Sequence, residues 1–438
     1  RKLEVSKLEE GMYVCELDRP WRETAFLFQG FEITTPEELD LLRHYCKYVY
    51  VDGDQPKTAY SRRQPITFPL RSQIADDDRA STRPQLRLVQ QAATATPRSK
   101  GSTELEEEVE VIRETHAQAT ALIHTIMEDA HLGKNVDTAT AKQVIAGMAE
   151  SVLRNADALM CFTHLKRKDD YTALHSLRVC MLALVFGRHL GFDEVQLNLL
   201  GIGALLHDVG KMRVPDAILN KPGKLTEREF EIMKSHVPLG VEILQRTKNI
   251  PSEAMDVTRQ HHERYSGGGY MDRLRAEQIS QFGLMSAIVD VYDAITSDRV
   301  YQRGISALDA LKKIYEWRGQ DFHPQLVEQF IQCIGIFPIG SVVILNTSEV
   351  GVVRTLNRGQ RLRPEVVLVL KPDKTPYNGL RAVDLARDTT PTGKSYEISK
   401  VVPAGCYGIQ PVDYLPVIAS LQRSAPRALH EQARPSAQ

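Results

Sequence analysis

The 438-residue chain reads as a multidomain protein, with a central all-α domain, a small N-terminal α/β module and a C-terminal β-rich appendage. Three observations predict this. The length exceeds one ordinary hydrophobic core, so roughly two to four domains are expected. Residues 160–336 repeat apolar side chains at helical spacing and carry few strand signals. After Pro338 the pattern changes to short β-rich runs between Gly, Asn and Pro turns.

Taken in order, residues 1–56 alternate apolar and polar positions through Val5, Leu8, Met12, Val14 and Leu17, as a strand does. A helix is expected from Thr35, where Thr35-Pro36-Glu37-Glu38 offers an N-cap followed by proline at the first helical position. Lys47-Tyr48-Val49-Tyr50-Val51-Asp52 reads as a strand ending at Gly53. This module holds no catalytic cluster and suits sensing or docking to a signalling partner. Residues 57–103 lack periodicity and bulky apolar content, which is linker chemistry. A helical lead-in over 104–159 follows. Its first helix carries Val109, Ile112, Ala119, Leu122, Ile123 and Met127, and its second, over 138–159, carries Val144, Ile145, Met148, Val152 and Leu159. That apolar stripe suits packing on the next domain or on a second copy as a homodimer. The β-rich appendage takes 337–420, with runs at 341–345, 351–354 and 364–370. The Ala-, Arg-, Pro- and Gln-rich tail of 421–438 reads as disordered.

Composition excludes several classes. The 55 basic and 56 acidic residues nearly cancel, so nothing supports binding of a nucleic-acid polymer or a basic membrane surface. Attraction for a polyanion must be local. Six cysteines (Cys15, Cys46, Cys161, Cys180, Cys333, Cys406) lack C-x-x-C spacing, which argues against a disulfide framework and for a cytoplasmic home. The longest apolar stretch, near 179–186, is far short of a membrane span. The chain begins at Arg1 rather than Met, so a removed targeting segment stays open.

The chemistry centres on Leu205-Leu206-His207-Asp208-Val209-Gly210-Lys211. An apolar run drives this segment into the core, and its last turn carries His207 beside Asp208. Adjacent helical residues point about 100° apart, so the two can approach a metal from neighbouring directions. Gly210 reads as a left-handed helix stop. The plain alternative is an ion pair between Asp208 and Lys211. His175 opens an apolar face, His236 precedes Gly240 on an amphipathic stretch, His261-His262-Glu263 ends a helix, and Asp290 sits inside an apolar run. An unpaired buried carboxylate is expensive. One shared metal centre would satisfy these five histidines and two aspartates together. His189 and His323 read as ordinary surface or core histidines.

This set resembles the HD-GYP family, a branch of the HD-type metal-dependent phosphohydrolases, over about 160–336. His207-Asp208-Val209-Gly210-Lys211 looks like its HD…GK motif, His236-Val237-Pro238-Leu239-Gly240 its H-x-x-x-G, and His261-His262-Glu263 its HHE. Gly267-Gly268-Gly269-Tyr270 resembles its G-x-G-Y, and the stretch from Asp290 to Arg299 its late aspartate motif. Asn220-Lys221-Pro222-Gly223-Lys224-Leu225 also sits where such proteins usually have it. Met271 and Val300 replace expected prolines, and Gln302 stands where a basic residue often follows the tyrosine, with Arg303 next. Lost prolines change loop stiffness more than chemistry. The N-terminal module is similar to an uncharacterised domain often found ahead of HD-GYP domains in bacteria.

The resemblance implies hydrolysis of one or both phosphodiester bonds of the bacterial second messenger cyclic di-GMP, giving linear pGpG or GMP. It implies two divalent transition ions, Fe or Mn first, with Ni or Zn also compatible with mixed imidazole and carboxylate ligands. Asp208 would bridge ions typically about 3.5–4 Å apart, with an activated hydroxide between them. His175, His207 and Asp290 would complete one shell, and His236, His261 and His262 the other. Some members hold a third ion through a carboxylate four residues before the first histidine; that position is Tyr171 here, with Asp170 before it, so a two-ion site is expected. Lys211 would stabilise phosphoryl charge. Gly268 and Gly269 would offer backbone amides, Tyr270 a ring, and Arg299 and Arg303 guanidinium groups to the substrate. Two other readings stand beside this: an HD-type phosphohydrolase of another nucleotide, and a non-enzymatic cyclic di-GMP receptor or partner-docking protein.

Overall fold

The computed structural model describes residues 2–19, 31–33, 36–52, 105–163, 171–297, 304–357, 360–411 and 413–414. The chain divides into two units, Arg1–Lys100 and Gly101–Gln438. The linker read over 57–103 and the tail over 421–438 lie outside the described residues, as do Asp170, Arg299 and Arg303.

In the first unit, β1 (Lys2–Glu4), β2 (Tyr13–Leu17), β3 (Phe31–Glu32), α1 (Pro36–Tyr45) and β4 (Tyr48–Asp52) form an antiparallel sheet, ordered β1-β4-β2-β3, with one helix. Val14, Leu17, Val49 and Val51 from the strands share a buried core with Leu42 of α1. The alternation from Val5 to Leu17 is not one strand. Val5–Lys7 is a 3₁₀ turn, and Gly11, at φ +86°, donates its N–H to Ile33 O at 2.7 Å where the chain enters β2.

The second unit opens with α2 (Leu105–His131), α3 (Thr138–Arg154) and α4 (Ala156–Phe162). The helix expected over 138–159 breaks at Asn155. That residue is extended (φ −151°, ψ 102°), ends α3, and caps α4 by accepting from the Asp157 N–H at 3.1 Å. α4 therefore crosses the 159/160 boundary expected between lead-in and central domain. The apolar stripe of α2 is buried through Val109, Ile112, Ala119, Ile123 and Ile126, against α3, α4 and the next helix. Of the two uses expected of that stripe, the structure shows packing on the following domain.

The central domain is helical. It comprises α5 (Tyr171–His189), α6 (Glu194–Leu206), a 3₁₀ turn (Val209–Arg213), α7 (Asp216–Leu219), α8 (Glu227–Lys234), α9 (His236–Arg246), α10 (Ser252–Gln260), α11 (Gln281–Thr296), α12 (Ala307–Glu316) and α13 (Pro324–Ile334). Five of these starts have a side-chain cap. Asp193 with Gln196 and Thr226 with Glu229 make capping boxes, Ser280 and Ser306 cap α11 and α12, and His323 caps α13 ahead of Pro324. α5 and α6 are apolar on nearly every face because they form the centre of the domain. Among the described residues no helix is long and apolar enough to cross a membrane, and none of the described cysteines is in a disulfide.

C-terminal to the helices, β5 (Val342–Leu345), β6 (Val350–Thr355), β7 (Glu365–Leu370), β8 (Pro376–Asp384) and β9 (Ile398–Val402) make an antiparallel sheet ordered β8-β7-β6-β5-β9. Its core is Val343, Leu345, Val353, Val366, Leu368, Val383 and Tyr396. The last strand returns to pair with the first, Val342 opposite Val402.

Candidate metal centre

Five segments meet at one buried point. The apolar run of α6 is buried from Leu200 to Leu206, and His207 and Asp208, each 1% exposed, stand at its end. His175 comes from the first turns of α5, His236 begins α9, His261 and His262 follow α10, and Asp290 lies on α11. All are buried except His262, which is half-buried. Gly210 does not take the left-handed conformation expected of it. It sits in the 3₁₀ turn, and a Cβ there would meet His236 O at 1.9 Å and Gly240 N at 2.4 Å. Its lack of a side chain lets the backbone behind Asp208 touch the backbone that carries His236.

Three histidines are held alike. Nδ1 of His207 donates to Ala204 O (2.8 Å), that of His236 to Met233 O (2.7 Å) and that of His261 to Thr258 O (3.0 Å). A carbonyl can only accept, so Nδ1 carries the proton and Nε2 turns a lone pair to the centre. There Asp208 faces two ways. Its Oδ2 lies 3.2 Å from His207 Nε2 and 3.7 Å from His175 Nε2; its Oδ1 lies 3.4 Å from His236 Nε2 and 3.8 Å from His261 Nε2. Asp290 Oδ1 sits 3.0 Å from His175 Nε2 and 4.0 Å from His207 Nε2. Lys211 Nζ donates to Asp208 Oδ2 at 2.5 Å, the ion pair read as the plain alternative.

The donor atoms fall into two sets within metal-ligating distance of one another, one of His175, His207 and Asp208, the other of Asp208, His236, His261 and His262. Asp208 belongs to both. Two buried atoms in them, His207 Nε2 and Asp208 Oδ1, have no hydrogen-bond partner. A buried polar atom without a partner costs free energy that a cation would remove, and mixed imidazole and carboxylate donors suit transition ions. The residues fit a pair of ions.

The electrostatics agree. Burial, then the neighbouring His207, pushes His261 down to about 3, and burial lowers His236 and His262 as well, so these imidazoles are neutral at pH 7. Burial alone would raise Asp208, but His207 and Lys211 hold its carboxyl well below the usual range. Asp290 is held low in the same way by His175. Neutral imidazole and ionised carboxylate are the forms that bind metal. His175 is the exception: burial is outweighed by hydrogen bonds to Asp290 and Asp293, which raise it to about 9, so this ring must give up a proton to bind an ion.

Asp293 and Arg178 were not singled out as functional from sequence. Asp293 Oδ2 accepts from His175 Nδ1 at 2.7 Å, and Arg178 clamps the same carboxylate through Nε (2.8 Å) and Nη2 (3.1 Å). Arg178 Nη2 also reaches Ser297 Oγ at 3.3 Å. The available signal was spacing: each lies three residues after a candidate ligand, on the same helix face. Glu263, the last residue of the HHE segment, points away from the ligand set and accepts from the N–H groups of Asp272 (2.8 Å) and Leu274 (3.0 Å), fastening the glycine loop.

In that loop Gly269 packs against the 262–264 backbone, where a Cβ would lie 2.5 Å from Glu263 Cα, whereas Gly268 is open. Tyr270 stacks on His262, centroids 4.7 Å apart and planes 27° apart. The structure thus brings together His175, His207, Asp208, Lys211, His236, His261, His262 and Asp290, with Tyr270 against them. His189 bonds Gln329, and His323 caps its helix.

A family profile described as an HD domain matches residues 156–326, and a domain of unknown function (DUF3391) matches residues 1–141. A cyclic di-GMP phosphodiesterase of Pseudomonas aeruginosa is 33% identical over 422 residues, 94% of each chain. A cyclic di-GMP phosphodiesterase response regulator of Xanthomonas campestris pv. campestris is 32% identical over 223 residues, 50% of this chain and 58% of the relative. A 3′3′-cGAMP-specific phosphodiesterase of Vibrio cholerae is 36% identical over 162 residues, 37% of this chain and 31% of the relative. With an HD domain behind DUF3391 and a relative matched along nearly its whole length, the chain belongs to the HD-GYP family.

Proposed function

We propose that this chain is a metal-dependent phosphodiesterase that hydrolyses cyclic di-GMP to linear pGpG or GMP. The observation that carries the reading is Asp208, whose two oxygens face two separate histidine sets. The relatives named above act on cyclic dinucleotides according to their names, and the P. aeruginosa protein is matched nearly end to end. His175, His207 and Asp290 with one oxygen of Asp208 would hold one ion, and His236, His261 and His262 with the other oxygen would hold the second. Fe or Mn suits these donors first. When bound, two such ions supply Lewis acidity to the phosphoryl group and make water nucleophilic near neutral pH.

The protein's own part is positioning. Nδ1 of His207, His236 and His261 is fixed on backbone carbonyls, so each ring is locked before anything binds. Lys211, about one-fifth exposed, holds an ammonium at the mouth beside Asp208, where it can donate to a phosphoryl oxygen. Open Gly268 lets backbone approach a phosphate closely, and Tyr270 walls the site next to His262. Arg299 and Arg303 would add guanidinium groups for phosphate or guanine.

The test is to incubate Mn- or Fe-loaded protein with cyclic di-GMP and separate the products by chromatography. Linear pGpG or GMP, absent with chelator and with Asp208→Asn, is the expected result. Intact cyclic di-GMP retained on loaded protein would instead make the chain a receptor.

A further inference from the structure

Helix α8 has no buried residue, yet it carries an aromatic ring turned to solvent. Phe230 is 45% exposed, so it contributes little to any core. Its ring meets Tyr270 edge to face, centroids 6.4 Å apart at 83°, and Tyr270 in turn stacks on His262. One turn along α8, the Lys234 ammonium stands 5.0 Å from the Phe230 centroid and 5.6 Å from the Tyr270 centroid. That ammonium pairs with exposed Glu231 at 2.6 Å, which leaves it further N–H groups to donate. From candidate ligand His262 outward, two ring contacts therefore lead to a solvent-exposed aromatic ring with the Lys234 ammonium over one face.

Resting on the phosphodiesterase reading above, we propose that Phe230 and Lys234 form a base subsite of the centre. A guanine of the substrate lies on the Phe230 ring, and Lys234 donates to its O6 and N7 edge. Two arguments favour a purine over a partner protein. The ring is continuous with the metal centre through Tyr270, and the neighbouring group is a cation that matches the acceptor pair of guanine. Adenine presents an N6 amino donor at that edge, which an ammonium repels. Stacking on an aromatic ring is sequence-tolerant, so Phe230 provides affinity and Lys234 the choice of base. Lys221, which bonds Glu229 at 2.5 Å, and the Thr226–Glu229 capping box fix α8 at its start, so the ring is presented on an ordered helix.

The experiment uses the full chain loaded with Mn, with cyclic di-GMP and cyclic di-AMP as ligands. It reads KM, kcat, the dissociation constant by calorimetry, and bound metal. Phe230→Ala and Phe230→Leu are expected to raise KM and the dissociation constant about tenfold. The loss sits in KM rather than kcat, two ions stay bound, and Phe230→Trp restores affinity. Lys234→Met is expected to narrow the preference for cyclic di-GMP over cyclic di-AMP about fivefold, since one edge contact is removed. Phe230→Ala within twofold of the parent, or Phe230→Leu as good as the parent, overturns the stacking role; an unchanged base preference in Lys234→Met overturns the edge contact. Either result leaves the phosphodiesterase reading standing if the parent still turns over. A metal-loaded parent that neither binds nor cleaves cyclic di-GMP removes both.

Discussion

Asp293 holds the Nδ1 side of His175 while Asp290 and the ions' expected place lie on the Nε2 side. A carboxylate behind a metal-ligating imidazole orients the ring and raises its basicity, and losing such a partner typically costs about 10–100-fold in metal affinity. Asp293→Asn is therefore expected to weaken one of two bound Mn ions by about that factor and to leave the other close to its parent value. Titration against a chelator reads this directly, and two unchanged affinities would remove Asp293 from the site. The candidate ligands could be picked out in the sequence because each is a polar group on an apolar face, a placement too costly to be incidental. Asp293 and Arg178 were less so, since a buried carboxylate and guanidinium three residues from a ligand look the same as a structural ion pair. Gly210 was misread because the chain order does not show that the His236 carbonyl lies across from it.

Elements were easier to read than boundaries. Apolar periodicity marks α2, α3 and the helices of the central domain, and the β-branched runs mark β5, β6 and β7. The break at Asn155 hides in a continuous apolar pattern, because a cap needs only one side-chain hydrogen bond to reset the helix. β9 escaped notice because Ile398–Val402 has exposed polar residues mid-strand and gains its place only by pairing with β5. α2 carries a pH consequence of its own. His116 packs on Phe162, centroids 5.3 Å apart, and burial, reinforced by the charge of Arg178, lowers its pKa to about 4. Unfolded chain takes up a proton near the ordinary value of 6.5, which the folded chain refuses until about 4. The unfolded state binds more protons in that window, so stability falls as pH drops from 6.5 and the loss is complete near 4. Replacing the ring by a group that does not titrate, His116→Gln, is expected to flatten this part of the profile. Urea midpoints of parent and variant at several pH values check it, and a difference that stays constant with pH would assign the effect elsewhere.

Over the second unit as a whole, the candidate ligands run from His175 to Asp290 and come from α5, the end of α6, α9, α10 and α11. Ions held at that junction tie five separate segments together, and such a junction does not exist in the unfolded chain, so their binding free energy adds to folding stability. At a free metal concentration one hundred times the dissociation constant the gain is about 2.7 kcal/mol per site. For a unit running from Gly101 to Gln438 each kcal/mol is worth roughly 1–2 °C, so one filled site should raise Tm by about 3–5 °C. Asp208 belongs to both donor sets, so Asp208→Ala should abolish the response to metal, whereas loss of a ligand from one set, as in His236→Ala, should leave about half of it. Melting curves of the full chain with Mn and with chelator distinguish these cases. Two independent centres would let Asp208→Ala keep part of the shift; a shared carboxylate requires that it keep none.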